Sequence, residues 1–84
     1  MAEYILSDHA KVVIAERSIQ REWLDRVLTS PARIEPDKRD ARLTHALAPI
    51  PEYGDRVLRV VYNGSTSPVL VVTSYFDRTQ REKL

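Results

Sequence analysis

The segment SDHAKVVIAERSI, residues 7–19, predicts a short helix that ends abruptly before a second one begins. Ser7 is a favourable N-cap residue because its side-chain oxygen can accept a hydrogen bond from a free backbone N–H group. Apolar residues then recur at helical spacing, at Ala10, Val13 and Ile14. Ser18 interrupts this pattern, and Ile19 can already pack with the next helix. The segment therefore predicts a helix of about three turns in front of a tight break.

A second amphipathic helix is predicted over residues 20–28. Its compact apolar stripe consists of Trp23, Leu24, Val27 and Leu28. The helix should end at Thr29-Ser30-Pro31, because the residue before a proline disfavours helical dihedral angles. Two short helices joined in this way predict an αα-hairpin at the start of the chain.

The pattern changes to that of β-strands after the second helix. We predict strands at residues 32–35, 42–47, 56–62 and 69–76. The strong turn signal Asn63-Gly64 separates the last two of them. The apolar residues 4–6 are compatible with an edge strand or an extended arm, and the charged tail 77–84 with a helical or frayed segment.

The order of these elements predicts an α+β fold in a single domain, residues 1–84. Consecutive strands joined by short loops favour an antiparallel meander. We therefore expect two N-terminal helices packed on a three- to four-stranded antiparallel sheet. The sheet face opposite the helices should stay open, and we expect a functional site there.

Composition narrows the class of protein. The chain has no cysteine and two histidines, so we expect neither disulfides nor a metal site, and no cofactor. Its first residues lack the pattern of a signal peptide, and no apolar run is long enough to cross a bilayer, so we expect a cytoplasmic protein without a membrane partner. A net charge of +1 argues against binding nucleic acid with the whole surface, although cations could still cluster locally.

Two residues are candidates for chemistry because of where they lie. His9 falls on the first turn of the first helix, where free N–H groups and the helix dipole favour its neutral form. A neutral imidazole suits proton transfer, but an incidental residue at a helix start has the same pattern. Arg59 interrupts an apolar strand. It is either an exposed residue of a half-solvated sheet or a bidentate phosphate ligand.

Three further residues are weaker candidates. Arg17 ends the first helix, where a solvated cation is favoured by the helix dipole. Tyr75 lies near the end of the last strand and offers a phenolic hydroxyl or a stacking surface, unless it only packs with its tip in water. His45 shares a strand face with leucines, so we expect a buried, neutral histidine with one satisfied nitrogen. No glycine-rich phosphate loop, paired-histidine motif or nucleophile elbow is present.

Several short motifs together resemble a small domain family of unassigned function. They are the run from His9-Ala10 to Glu16-Arg17-Ser18-Ile19, followed by Val27-Leu28-Thr29-Ser30-Pro31, Leu58-Arg59-Val60-Val61 and Val72-Thr73-Ser74-Tyr75. That family is similar to the BrnT and RelE/ParE-like toxins of bacterial toxin–antitoxin pairs, in which two helices precede an antiparallel sheet. Ser18 stands where the family usually has glycine, and the first helix lacks the arginine often found in its middle.

The resemblance implies a toxin that acts as a metal-independent endoribonuclease. It implies His9 as general acid or base, Arg59 and Arg17 as phosphate-stabilising residues, and Tyr75 as an orienting or stacking residue, with His45 in reserve. The implied partners are a cognate antitoxin and RNA or the ribosome. The alternative is a non-catalytic protein-interaction domain on the same scaffold, which would use its open sheet face or the edge at residues 4–6. A DNA-gyrase poison is a third option that nothing in the sequence selects.

Overall fold

A computed structural model describes residues 3–84 of the chain. The elements in chain order are β1 (Tyr4–Leu6), α1 (Asp8–Glu16), α2 (Arg21–Thr29), β2 (Arg33–Pro36), β3 (Leu43–Ile50), β4 (Arg56–Asn63) and β5 (Val69–Phe76). Two short 3₁₀ helices, Pro51–Tyr53 and Arg78–Gln80, follow β3 and β5. The α+β class and the two N-terminal helices are thus confirmed. Within residues 3–84, no helix has the length and apolar character required to cross a membrane.

The sheet has five strands in the order β1-β5-β4-β3-β2, and it is mixed. β2 to β5 form the expected antiparallel meander, but β1 lies parallel to β5, with Tyr4 opposite Val69 and Leu6 opposite Val71. The predicted three- to four-stranded antiparallel sheet is therefore wrong in strand number and in direction. A three-residue strand carries no periodic signal of its own, and its partner lies about 65 residues further along the chain.

Local hydrogen bonds explain both ends of α1. The Ser7 hydroxyl accepts from the N–H group of Ala10 at 3.0 Å, which confirms the predicted N-cap. At the other end Ser18 adopts a left-handed conformation with φ of 53°, and the N–H group of Ile19 donates back to the carbonyl of Ile14 at 3.0 Å. This is the geometry in which glycine commonly ends a helix.

The two faces of the sheet differ in character. The helices cover one face, where the core consists of Ala10, Ile14, Ile19, Trp23, Leu24, Val27, Ala46, Ala48, Ile50, Leu58, Val60 and Val71. Arg59 and His45 lie on the opposite face. That face is not open as predicted, because the C-terminal residues lie on it and Gln80 accepts from Arg33 of β2 at 2.7 Å. The tail 77–84 is therefore docked rather than frayed.

Replacing Ser18 with glycine should stabilise the protein. We expect Ser18→Gly to raise the free energy of unfolding by about 0.5–1 kcal/mol, because glycine adopts positive φ without a steric cost and this outweighs the added freedom of the unfolded chain. Urea denaturation measures the change. Ser30→Gly is the control, since Ser30 has φ of −136° and should gain nothing. Equal effects at both residues would contradict the role assigned to Ser18.

Candidate functional site

A cleft of about 670 Å³ opens beside the end of α1, the start of β4 and the end of β5. Its lining residues are Arg17, Arg56, Val57, Tyr75, Phe76, Asp77, Arg78 and Arg81. Four arginines therefore come together from three separate parts of the chain. We call this the arginine cleft.

The arginines of this cleft lack acidic partners. Among residues 3–84, none of the four has a carboxylate oxygen within 4.0 Å, whereas Arg26, Arg33, Arg42 and Arg59 all form ion pairs. Arg17 donates instead to the carbonyl of Ser74 at 2.6 Å, and Arg81 to the carbonyl of Gly54 at 3.3 Å. Since these acceptors are neutral, the positive charge remains uncompensated. A chain with a net charge of +1 thus has one strongly cationic cleft.

An aromatic cluster supports one wall of the cleft. Trp23 stacks on Tyr53 with ring centroids 5.3 Å apart, and Phe76 contacts both rings, at 5.9 Å and 5.0 Å. The guanidinium group of Arg56 lies 4.6 Å from the centroid of the Tyr53 ring, in a cation–π contact. These contacts tie the start of β4 and the end of β5 to α2, so Phe76 and Arg56 have rigid support.

Asp77 is the one carboxylate that lines the arginine cleft, and Arg59 engages it. One carboxylate oxygen accepts from Nε and Nη2 of Arg59, at 3.0 Å and 2.7 Å. The other oxygen accepts from the N–H group and the hydroxyl of Thr79, at 3.0 Å and 2.6 Å. Burial alone would raise the pKa of Asp77, but the hydrogen bonds from Thr79 and Arg59 outweigh it and lower this pKa.

Arg59 is buried, with only 8% of its surface exposed. Besides Asp77, its Nη1 atom contacts Glu35 at 3.1 Å and Nδ1 of His45 at 2.8 Å. Burial opposes the charged form, but the hydrogen bonds to Asp77 and Glu35 raise the pKa of Arg59 above its ordinary value. Arg59 is therefore not the exposed residue of a half-solvated sheet that the pattern allowed. Its guanidinium group is occupied by protein side chains instead of facing an open surface.

The neighbours of His45 define its tautomer. Arg59 can only donate, so Nδ1 of His45 must accept and the ring proton lies on Nε2. Nε2 then donates to Asp37 at 2.8 Å. Both ring nitrogens are satisfied, so the expectation of a single satisfied nitrogen is wrong.

The hydrogen bond from His45, followed by those from the N–H groups of Arg39 and Asp40, lowers the pKa of Asp37 to about 2.

The structure groups some of the sequence-predicted site residues and separates others. Arg17 and Tyr75 line the arginine cleft, and Arg59 lies directly beside Tyr75 in the register of β4 and β5. His9 is exposed at the other end of α1, about 12 Å from Arg17 along the helix axis. Arg59 and His45 border a second cleft of about 710 Å³, on the face opposite the helices.

Sequence reasoning missed Arg56, Arg78 and Arg81 as members of the site. Arg56 is the first residue of a strand that follows a loop, and the other two belong to a tail that reads as a solvated run of charges. The only available signal was the high density of arginine immediately after the last strand. Within residues 3–84, no group of three or more potential ligands is placed to hold a metal ion.

Fold and cleft define a small α+β domain with a concentrated cationic site. Residues 6–76 match the family model described as a domain of unknown function, DUF4258, and the chain belongs to this family. Neither a curated protein nor a solved structure matches the chain significantly. The matched region includes Arg17, Arg56 and Tyr75 but ends before Arg78 and Arg81.

Acid should weaken the fold partly through Asp37. Its pKa of about 2 in the folded protein lies below the ordinary value of 3.8, so its contribution to stability is complete above about pH 4 and is lost as the pH falls through about 2. We expect Asp37→Asn to lower the urea midpoint at pH 7 and to flatten its dependence between pH 4 and pH 2. Glu16→Gln, at an exposed residue without an ion pair in residues 3–84, is the control. Parallel pH curves for Asp37→Asn and the wild type would contradict this assignment.

Proposed function

We propose that the protein binds single-stranded RNA in the arginine cleft and cleaves it without a metal ion, as the toxin of a toxin–antitoxin pair. The observation that carries this proposal is the clustering of four arginines without acidic partners in one cleft. Guanidinium groups match pairs of phosphate oxygens, and several of them can hold consecutive phosphates of a strand. Tyr75 and Phe76 add aromatic rings to the lining of the cleft, which suits the unstacked bases of a single strand.

The cleft contains groups for the chemistry that such a reaction needs. In RNA cleavage of this kind, the 2′-hydroxyl oxygen bonds to the adjacent phosphorus while the bond from phosphorus to the 5′-oxygen breaks. The products are a 2′,3′-cyclic phosphate and a 5′-hydroxyl, so one proton leaves the nucleophile and one reaches the leaving oxygen. The arginines would stabilise the charge that develops on the phosphate.

Proton transfer is assigned to Tyr75 in this proposal. Of the side chains that line the cleft, arginine cannot exchange its proton in this role, and the carboxylate of Asp77 is engaged by Arg59 and Thr79. The Tyr75 hydroxyl can both donate and accept. His9, the general acid or base implied by the resemblance, lies outside the lining of the cleft. A cognate antitoxin is the proposed protein partner, and its acidic side chains would compete with RNA, free or on the ribosome, for the same arginines.

Cleavage by the purified protein tests this function. We expect a single-stranded RNA to be cut in the presence of a metal chelator, and a strand with 2′-deoxyribose throughout to remain intact. Tyr75→Phe should lower the cleavage rate on the order of 100-fold while RNA affinity changes little, because it removes only the proton-transfer group. The double variant R78Q/R81Q should weaken binding.

The matched control is R21Q/R39Q, which removes two arginines that also lack carboxylate partners among residues 3–84 but lie outside the arginine cleft. It should bind and cleave like the wild type. Controlled expression in bacteria, with growth and RNA integrity as readouts, tests the toxin role directly. Intact RNA together with normal growth would rule out the proposed activity.

The two sheet edges favour a second candidate function, protein binding by strand addition. Ile5 of the edge strand β1 is 52% exposed, and Ile34 of the opposite edge strand β2 is 57% exposed. Each edge strand has only one neighbour, so its outer N–H and C=O groups are available to a further strand. A non-catalytic interaction domain would use such an edge.

A partner encoded by a neighbouring gene provides the test of this second function. If it binds at β1, Ile5→Lys should lower its affinity at least about tenfold, because a charge then meets the added strand. Val12→Lys is the control, since Val12 is equally exposed but lies on α1. Isothermal titration with the purified partner measures both variants. Equal losses in the two variants would contradict binding at this edge.

A further inference from the structure

The C-terminal segment, residues 77–84, supplies half of the arginines in the cleft. Arg78 and Arg81 belong to this segment, and they face a cleft whose other two arginines lie on α1 and β4. No residue of the segment belongs to the hydrophobic core, and its last residue, Leu84, is 38% exposed. Its side chains make mainly polar contacts, on a sheet face where Leu47 and Val57 are also buried.

The N–H group of Asp77 donates to the carbonyl of Val57 at 2.8 Å and Arg81 to that of Gly54 at 3.3 Å, while two other arginines, Arg59 and Arg33, hold the segment through their side chains. Arg59 holds the Asp77 carboxylate with two N–H groups, at the residue from which the segment departs. Arg33 donates to the Gln80 side chain at 2.7 Å and to the carbonyl of Lys83 at 3.4 Å. The Arg59 contact is the buried one, since the side chain of Arg59 is 10% exposed and that of Asp77 is 13% exposed.

We propose that Arg59 is a positioning residue whose hold on Asp77 places Arg78 and Arg81 in the arginine cleft and so completes its phosphate-binding set. The inference rests on the proposed RNA-binding function. It adds that the contact between Arg59 and Asp77 determines how many phosphates the cleft neutralises. With Asp77 held, the first turn of the segment is capped through Thr79 and directs Arg78 into the cleft lining. With Asp77 released, the segment loses this anchor. Arg78 and Arg81 then lose more conformational entropy when they bind a phosphate.

His45 extends this hydrogen-bonded arrangement along the same sheet face toward β2. Its Nδ1 atom accepts from Nη1 of Arg59, and its Nε2 atom donates to Asp37 in the turn between β2 and β3. Glu35 of β2 accepts from the same Nη1 atom. These acceptors determine the orientation of the Arg59 guanidinium group. Together the contacts form a chain of hydrogen bonds from Asp37 through His45 and Arg59 to Asp77.

The salt dependence of RNA binding measures the number of phosphates that the protein neutralises. For single strands, log K falls with log salt concentration with a slope of about −0.7 for each phosphate contact, so four arginines predict a slope of about −3. Release of the segment leaves two of these contacts and predicts a slope of about −1.4. We expect affinity at 0.1 M salt to fall roughly 25-fold at the same time, because the loss of two contacts removes about 1.4 log units.

Asp77→Asn is the principal variant, because Arg59→Lys alters a buried residue and risks loss of folding. A carboxamide has one acceptor oxygen where the carboxylate has two, so it cannot serve both Arg59 and Thr79. The fluorescence anisotropy of a labelled single-stranded RNA of mixed sequence gives the slope. Hydrogen exchange of the backbone N–H groups of residues 78–84 reports the position of the segment without any RNA.

A double-mutant cycle separates positioning from a general loss of stability. If Asp77 acts through the two arginines of the segment, Asp77→Asn should flatten the slope in the wild type but have no further effect in R78Q/R81Q.

The His45 variants provide a second comparison. His45→Asn keeps an acceptor near the Nδ1 position that faces Arg59, whereas His45→Gln replaces only the Nε2 end. We expect a normal slope and normal exchange in the first variant, and a flatter slope with faster exchange in the second.

The outcomes are distinct. An unchanged slope and unchanged exchange in Asp77→Asn overturn the positioning role and leave the proposed function intact. Equal losses of affinity in the wild-type and R78Q/R81Q backgrounds also overturn it, because the effect then bypasses the segment. Failure of the wild type to bind RNA overturns the proposed function and the phosphate count with it, while the exchange measurement still decides whether Arg59 holds the segment in place.

Discussion

The buried guanidinium group of Arg59 organises the sheet face opposite the helices. A cation at this depth is costly unless hydrogen-bond acceptors surround it, and here Asp77, Glu35 and His45 provide them. These partners come from the C-terminal segment, an edge strand and the neighbouring central strand. One side chain on β4 therefore connects the C-terminal segment to the paired strands β2 and β3. Removal of the guanidinium group would leave two carboxylates without their buried counter-charge.

The two faces of the sheet differ in the interactions that they make. The face under the helices is apolar, and the aromatic cluster of Trp23, Tyr53 and Phe76 closes one end of that layer. The opposite face carries the ion pairs of Arg59 and the docked C-terminal segment. The arginine cleft lies where these two regions meet, with one wall supported by the aromatic cluster and another by polar contacts. Its apolar side is held by aromatic contacts, whereas hydrogen bonds from Arg59 and Arg33 hold its C-terminal side.

Net charge is a poor guide to the electrostatics of this protein. A total of +1 suggests little attraction for a polyanion, but acids and bases are distributed unevenly among their partners. The carboxylates of Glu35, Asp40 and Glu52 neutralise arginines elsewhere, and Asp77 is committed to Arg59. The arginines of the cleft remain without such partners. Pairing, rather than composition, is what gives this DUF4258 member a cationic site.

Features that depend on residues adjacent along the chain could be predicted from the sequence. The N-cap at Ser7, the break at Ser18 and the strands of the meander follow from capping, backbone conformation and side-chain alternation, all of which are local. Tertiary structure decided the rest. The parallel pairing of β1 joins residues far apart in sequence, and the arginine cleft assembles from α1, β4, β5 and the tail. Side chains meet there only once the sheet has formed, so no spacing in the sequence records their proximity.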